Sequence, residues 1–183
     1  MTLLTDAAAF RRALPVLSKS EGVWEGMYRR YDGAGKPMGA HRSRVVFRLL
    51  PHVPGPEIYS QTNIYRFGDG RTQVIESTGT FDGAQLNFGS DRGVKGWSKD
   101  DPTDPHGRIC LLYMDVTVDT PQLKAGTTCY ELVQVSDCGK YRMRVAQYAF
   151  NGQTIMRTLI DEIFLTRDWA SQADWTKPEL ALP

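Results

Sequence analysis

Short extended segments follow one another along almost the whole chain, and tight-turn dipeptides separate several of them. The segments are rich in β-branched and aromatic residues, which strands favour. The turn signals are the pairs Asp32-Gly33, Asp69-Gly70, Asp82-Gly83 and Asn151-Gly152, residue types that tolerate the positive φ angles of hairpin turns. Because no helical crossover separates the segments, the pattern favours an antiparallel sheet over a parallel one.

A meander of this length leaves unpaired edge strands unless it closes on itself. We therefore predict an all-β fold, an up-and-down antiparallel β-barrel of about nine or ten strands with a short N-terminal helix near one end. A β-sandwich is the alternative, and it would make inward-facing polar residues harder to explain. Barrels of this size can enclose one small ligand.

The length of 183 residues suits one core rather than two, so we predict a single domain over residues 1–183. The N-terminal helix and its lead-in take up 1–21, the barrel 22–167 and a C-terminal segment 168–183. Pro15 is expected to end or kink the helix.

Residues 89–108 interrupt the strand pattern with glycine, proline and charge. A loop of that length in a compact domain is uncommon and is usually functional or disordered. We interpret it as a lid over the barrel mouth, with Trp97 as an apolar anchor. The alternative is a loose connection whose Trp97 packs on the barrel exterior.

Charge and composition limit the partners of the chain. The formal net charge is +1, with 22 Lys and Arg against 21 Asp and Glu, which does not indicate a nucleic acid or an acidic membrane. No apolar run approaches the ~20 residues of a membrane helix, and Arg11 and Arg12 interrupt any signal-peptide core. Three cysteines without CxxC spacing indicate reduced thiols. We expect a cytoplasmic protein without nucleic-acid or membrane partners, in which an exposed edge or the aromatic C-terminal segment could form a homodimer.

The first strand segment begins with Gly22-Val23-Trp24-Glu25-Gly26, after the helix. The calycin superfamily of lipocalins and fatty-acid-binding proteins carries a similar Gly-x-Trp there, and the chain resembles that superfamily. More narrowly, "GVWEGMYRRYDGAG" is similar to the opening of an uncharacterised calycin-like family from cyanobacteria and other bacteria, with a Gly-x-Trp-x-Gly first strand. The resemblance implies a barrel whose floor is closed by Trp24 beneath a late-strand arginine, Arg142 or Arg144. It implies little about activity, because calycins include carriers, inhibitors, haem proteins and enzymes.

Familiar catalytic and cofactor motifs are absent. The sequence has no GxGxxG, GxxxxGK[ST] or GxSxG. His41, His52 and His106 lack metal-ligand spacing. No histidine follows His106, which argues against haem-binding barrels with a late proximal histidine and leaves a tyrosine ligand open. We therefore predict neither a metal nor a cofactor.

The stretch "YSQTNIYR" carries Tyr59, Gln61, Asn63 and Tyr65 on one face and Ser, Thr, Ile and Arg on the other. The second face suits solvent, so we predict that the first faces inward. Buried amides and phenols need partners, which predicts a polar-lined cavity holding water or a polar, aromatic ligand. The alternative is a different register, in which these four residues face solvent.

Other strands add polar residues to the same interior. If Trp24 points inward, Tyr28 and Arg30 do so too, and Glu25 points outward. Glu131 lies between apolar neighbours of its face, as does Glu162. Such a carboxylate is either paired with an arginine, and we expect Glu162 with Arg144, or it has a raised pKa and acts as a general acid or base.

These patterns support three hypotheses of function. The first is binding of a small hydrophobic or aromatic molecule inside a polar-lined barrel cavity. The second is a cofactor-independent isomerase, lyase or cyclase acting on an aromatic or polyketide-like compound, and the third is a structural protein with a filled core. The candidate catalytic residues are Tyr28, Tyr59 and Glu162. The candidate ligand-binding residues are Arg30, Gln61, Asn63, Tyr65, Trp97, Tyr113, Glu131, Arg144 and Tyr148.

Overall fold

The computed structural model describes residues 6–49 and 57–169. Two short helices precede ten strands. The helices are α1 (Ala7–Ala13) and α2 (Pro15–Ser18), and the strands are β1 (Gly22–Asp32), β2 (Pro37–Leu49), β3 (Tyr59–Arg66), β4 (Thr72–Phe81), β5 (Leu86–Ser90), β6 (Val94–Asp100), β7 (Ile109–Val116), β8 (Thr128–Val135), β9 (Tyr141–Phe150) and β10 (Gln153–Thr166).

The ten strands form one closed barrel in which each strand pairs with its sequence neighbours and β10 returns to β1. All pairings are antiparallel. This confirms the predicted all-β up-and-down barrel, and closure removes the edge strands that an open meander would expose. Neither described helix is long and apolar enough to cross a membrane. Of the predicted C-terminal segment 168–183, residues 170–183 lie outside the described part of the chain.

Two hairpins show why glycine is needed at particular turns. Asn151-Gly152 joins β9 to β10 with φ angles of 49° and 76°, the left-handed values that a two-residue turn requires. In the β1–β2 hairpin the positive φ lies at Gly35 (89°) rather than at Gly33. Gly33 is needed for a different reason, since a Cβ there would lie 2.1 Å from the Thr154 carbonyl oxygen.

The N-terminal helices close one end of the barrel. The Asp6 carboxylate caps α1 by accepting a hydrogen bond from the Ala8 amide at 2.8 Å, and Pro15 begins the separate helix α2. Phe10 packs edge-on against Phe81 of β4, with ring centroids 5.3 Å apart. The core at this end consists of Ala7, Phe10, Leu14, Val16 and Leu17 from the helices and Phe47, Leu49, Ile58, Tyr59, Phe81, Leu86, Cys110 and Val133 from the barrel segment. We call the opposite end of the barrel the mouth.

The prediction of one long loop over 89–108 is wrong, because the end of β5 and the whole of β6 lie within it. β5 continues to Ser90 and β6 follows over Val94–Asp100, so that 101–108 is the irregular part. The sequence of β6 does not show the usual alternation of apolar inward and polar outward residues, because the strand turns the small residues Gly96 and Ser98 inward. Gly96 has to be small, since a Cβ there would lie 1.9 Å from the Tyr113 carbonyl oxygen.

The irregular segment 101–108 also lies at the helix end rather than at the mouth. Just before it, the Asp100 carboxylate accepts hydrogen bonds from the amides of Val16 and Leu17 at 2.7 and 2.8 Å. Within it, the Gly107 carbonyl accepts one from the Lys19 ammonium at 2.8 Å. The segment therefore holds α2 in place, and the interpretation as a lid over the mouth is wrong.

Candidate functional site

The barrel contains a cavity of about 250 Å³ between the helix end and the mouth. Its wall is strongly aromatic. The aromatic side chains that line it are Tyr28, His41, Tyr59, Tyr65, Phe67, Phe88 and Tyr148. Barrels in this size range can hold one small ligand, and the wall composition favours one with a flat apolar surface.

β3 supplies the polar side of the cavity. Tyr59, Gln61, Asn63 and Tyr65 all line it, as the alternation predicted. The Gln61 side-chain amide donates a hydrogen bond to the Asn63 side-chain oxygen at 2.9 Å. The two amides thus satisfy each other in part, and within the described residues the Gln61 oxygen and the Asn63 NH2 group have no other hydrogen-bond partner.

A network of charged side chains crosses the inner face of β8, β9 and β10. The Arg144 guanidinium donates to Glu131, to the Tyr28 hydroxyl at 2.9 Å and to Glu162 at 3.4 Å. Arg142 donates to the other oxygen of Glu162 at 2.5 Å. The expected pair of Glu162 with Arg144 is therefore present, and Arg142 is the closer partner.

This network fixes the protonation of its members. Burial on its own would raise the pKa of Glu162, but the charges of Arg142 and Arg144 outweigh it and the pKa is lowered. Burial is also the largest influence on Tyr28 and raises the pKa of its phenol well above the ordinary value, against the opposing charge of Arg144. At neutral pH the site therefore presents a carboxylate held in ion pairs and an uncharged phenol.

Trp24 forms the floor beneath this network. Its ring is fully buried, and its indole NH donates to the Ser20 carbonyl at 2.9 Å. The Arg142 guanidinium carbon lies 4.5 Å from the ring centroid, so Arg142, rather than Arg144, makes the arginine–tryptophan contact that the resemblance implied. Gly26 leaves room for the Glu162 side chain, since a Cβ there would lie 2.5 Å from Glu162 Cγ.

His41 completes an aromatic cluster near the mouth. Its ring stacks on Tyr28 at 5.0 Å and contacts Tyr65 at 5.0 Å and Phe67 at 4.8 Å between centroids. Burial, and then the charge of Arg30, lower its pKa to about 4, so the imidazole is neutral at pH 7. The sequence reasoning missed this residue. Pairing the residues of β1 and β2 outward from their hairpin would have found it, because His41 lies directly opposite Tyr28.

The segment 117–127 between β7 and β8 covers part of the cavity, and the sequence reasoning missed this too. Gln122 and Leu123 from this segment line the cavity. Its conformation is fixed locally, since the Thr120 hydroxyl accepts a hydrogen bond from the Leu123 amide at 2.9 Å. Within the described residues, no group of three or more His, Cys, Asp or Glu side chains is placed to hold a metal ion.

Trp97 and Tyr113 lie on the outer face, which corrects their placement in the cavity. They are directly paired across β6 and β7, and their rings stack at 5.9 Å. Tyr113 also contacts Tyr130 at 4.9 Å and donates to Asp115 at 2.5 Å. The physical reason is the alternation of the two strands, which turns Gly96 and Met114 inward instead.

The other predicted site residues come together in or beside the cavity. Those that line it are Tyr28, Arg30, Tyr59, Gln61, Asn63, Tyr65, Glu131, Arg144 and Tyr148. Glu162 adjoins it through its ion pair with Arg144. On the outer face, Glu25 points outward as expected, yet it is fully buried beside Arg44 (2.7 Å) and Arg42 (3.2 Å).

A closed antiparallel barrel with a helix-plugged end and a tryptophan floor defines a calycin-like fold. Several solved structures are similar in fold, among them the following three. Rv2717c from M. tuberculosis has a TM-score of 0.55 and 18% identity, and the match covers 88% of this chain and 99% of that one. A DUF3598-family protein of unknown function from Nostoc punctiforme has a TM-score of 0.59 and 17% identity, with 84% of this chain and 51% of that one covered. The S-type phycobiliprotein lyase CPES from Guillardia theta has a TM-score of 0.57 and 9% identity, with 81% of this chain and 90% of that one covered.

At these identities the similarity shows the fold alone. The chain spans about half the length of the Nostoc protein. No protein-family model matches the sequence, and no curated protein is significantly similar to it. The narrower resemblance to a bacterial family with a Gly-x-Trp-x-Gly first strand therefore stays a prediction.

Proposed function

We propose that the barrel binds a small aromatic or hydrophobic molecule in its cavity. The observation that carries this proposal is the aromatic wall around the partly unsatisfied amides of Gln61 and Asn63. An interior built only for stability would use aliphatic residues at these positions, whereas these two amides face the cavity with hydrogen-bonding capacity left over.

The geometry suggests how a ligand would be held. A flat ring can pack against His41, Tyr65 and Phe67, and the Gln61 oxygen and Asn63 NH2 group can fix its orientation. The volume of about 250 Å³ is near the lower end for ligand pockets and suits a bicyclic molecule better than a long chain.

The enzymatic alternative is an isomerase, lyase or cyclase that uses Tyr28, Tyr59 and Glu162. One similar structure is named a phycobiliprotein lyase, but that likeness concerns the fold. A carboxylate held by two arginines and phenols with raised pKa values are weak acid–base groups at neutral pH. If turnover is found, Tyr28→Phe and Tyr59→Phe should abolish it while ligand binding survives.

The first test of binding is native mass spectrometry of the purified protein, followed by solvent extraction and small-molecule analysis. A co-purified aromatic compound would support the proposal and name the chemical class. A fluorescent naphthalene probe then measures occupancy of the cavity directly.

Two tryptophan variants on β4 make this test specific. Ile75 lines the cavity, whereas its neighbour Val74 lies on the outer face and is 42% exposed. Ile75→Trp should fill the cavity and abolish probe binding, and Val74→Trp should leave binding unchanged. Equal binding by both variants would refute the proposal.

Two expectations about the surroundings of the protein stay predictions: the cytoplasmic location without nucleic-acid or membrane partners, and the homodimer. Light scattering on the eluting protein measures the mass in solution and tests the dimer. A monomeric mass at all concentrations would contradict it.

A further inference from the structure

Arg30 is the cationic side chain that lines the cavity near its mouth. It lies six residues beyond Trp24 on β1, which is about 20 Å of strand from the floor. It is partly buried, and its Nε atom is shielded from solvent without a hydrogen-bond acceptor among the described residues. Within the same part of the chain no carboxylate forms an ion pair with it.

The other charges around the cavity are balanced. Arg142 and Arg144 are matched by Glu131 and Glu162, with every member in at least one ion pair. The imidazole of His41, which lies beside Arg30, is neutral at pH 7 and adds no charge of either sign. Arg30 is thus the excess positive charge of the cavity.

We infer that the cavity ligand carries a carboxylate and that Arg30 binds this group at the mouth of the barrel. This inference rests on the proposed function and narrows it from an aromatic or hydrophobic molecule to an aromatic acid. A charge withdrawn from water without a partner is unfavourable, and an anionic ligand removes that penalty.

The guanidinium geometry favours a carboxylate over a neutral acceptor. The unsatisfied Nε of Arg30 and its neighbouring NH2 group form one edge of the guanidinium fork, which can donate two parallel hydrogen bonds to a carboxylate. The rings of His41 and Phe67 contact each other at 4.8 Å on the same part of the wall. A ring held there would place an attached carboxylate toward Arg30.

Two probes of the same shape and different charge test this inference. Isothermal titration with 2-naphthoate and with neutral 2-naphthamide gives a ratio of affinities for each protein. The wild type should prefer 2-naphthoate about tenfold or more, as expected for one charge-assisted pair. Arg30→Met should bring the ratio close to one, chiefly by weakening the binding of 2-naphthoate.

Arg29→Met is the matched control. Arg29 precedes Arg30 on β1, and its replacement by Met removes the same charge and the same side-chain length. Its guanidinium points outward, however, and lies 2.5 Å from the Asp161 carboxylate. It should keep the wild-type preference. Arg30→Lys retains the charge without the fork, and should keep part of the preference while its thermal unfolding reports an intact fold.

The outcomes separate this inference from the proposed function. If both probes bind and Arg30→Met keeps the preference for 2-naphthoate, the carboxylate subsite is refuted and cavity binding stands. If the wild type binds the two probes equally, the subsite is refuted in the same way. If neither probe binds the wild type, the proposed function fails and the inference falls with it.

Discussion

The substitution Glu162→Gln removes the charge that holds two buried arginines on the inner face of the barrel. The Glu162 carboxylate is fully buried and lies 2.5 Å from Arg142 Nε, and the Arg142 side chain is only 3% exposed. The variant leaves that guanidinium buried opposite a neutral amide. The change in side-chain size is small, so the lost charge accounts for the effect.

The expected loss in the free energy of unfolding follows from the burial of the Glu162–Arg142 ion pair. Removing one partner of a buried ion pair costs about 3–5 kcal/mol, because the remaining charge is left uncompensated. Glutamine keeps one acceptor oxygen, so we expect the lower end, about 3 kcal/mol. For a domain of this size that corresponds to a fall in Tm of roughly 6–12 °C.

The neighbouring residue provides an internal comparison. Asp161 also lies 2.5 Å from an arginine, Arg29, but the two side chains are 66% and 44% exposed. Exposed ion pairs contribute about 0–1 kcal/mol, so Asp161→Asn should lower Tm by at most about 4 °C. Thermal unfolding followed by circular dichroism at pH 7 measures both variants.

The pH dependence gives a second readout of the same pair. The pKa of Glu162 is lower in the folded state than its ordinary value near 4.5, so the unfolded state binds more protons below that pH. The wild type should therefore lose this contribution as the pH falls from about 4.5 through the lowered value, and Glu162→Gln should show a flatter profile there. Equal stability of the Asp161 and Glu162 variants at pH 7 would refute the reasoning.

Three further predictions follow. Gly26→Ala should strongly destabilise the barrel, because the new methyl would lie 2.2 Å from a β10 carbonyl oxygen, whereas Gly68→Ala meets open space and should be neutral in chemical denaturation. His41 should titrate by NMR with a pKa of about 4, and a titration midpoint above pH 6 would contradict this. The free energy of unfolding should rise as the pH increases from about 4 to 6.5, because the unfolded imidazole binds the proton more tightly than the folded one. Cys138 is exposed with a lowered pKa and should react quickly with a disulfide reagent, while buried Cys110, whose pKa burial raises to about 12, should stay unmodified until unfolding.

The fold could be predicted because turn chemistry and strand alternation agree over most of the chain. The face of β3 is an example: Tyr59, Gln61, Asn63 and Tyr65 line the cavity as predicted. The same alternation along β9 puts Arg142, Arg144 and Tyr148 on one face. These predictions need only the period of two and one correctly placed residue for each strand.

The errors occurred where alternation is carried by residues of unusual size or polarity. β6 has Gly96 and Ser98 inside and Trp97 outside, the reverse of what hydrophobicity suggests, so its sequence pattern predicts a loop instead of a strand. Gly96 is small because Phe88 and the β7 backbone approach it closely, a tertiary contact that no local pattern encodes. Glu25 shows the same limit: its outward direction was correct, but its complete burial depends on what lies against the outer face.

The buried charges also determine what a ligand meets inside the barrel. Replacing a buried ion network by apolar residues is often neutral or stabilising for the fold. Stability alone therefore does not account for the charged network across β8, β9 and β10. Arg144 donates a hydrogen bond to the Tyr28 oxygen at 2.9 Å, so the Tyr28 hydroxyl proton points elsewhere. The charged network therefore fixes the orientation of the Tyr28 hydroxyl in the cavity wall, which a wholly apolar barrel of the same fold could not do.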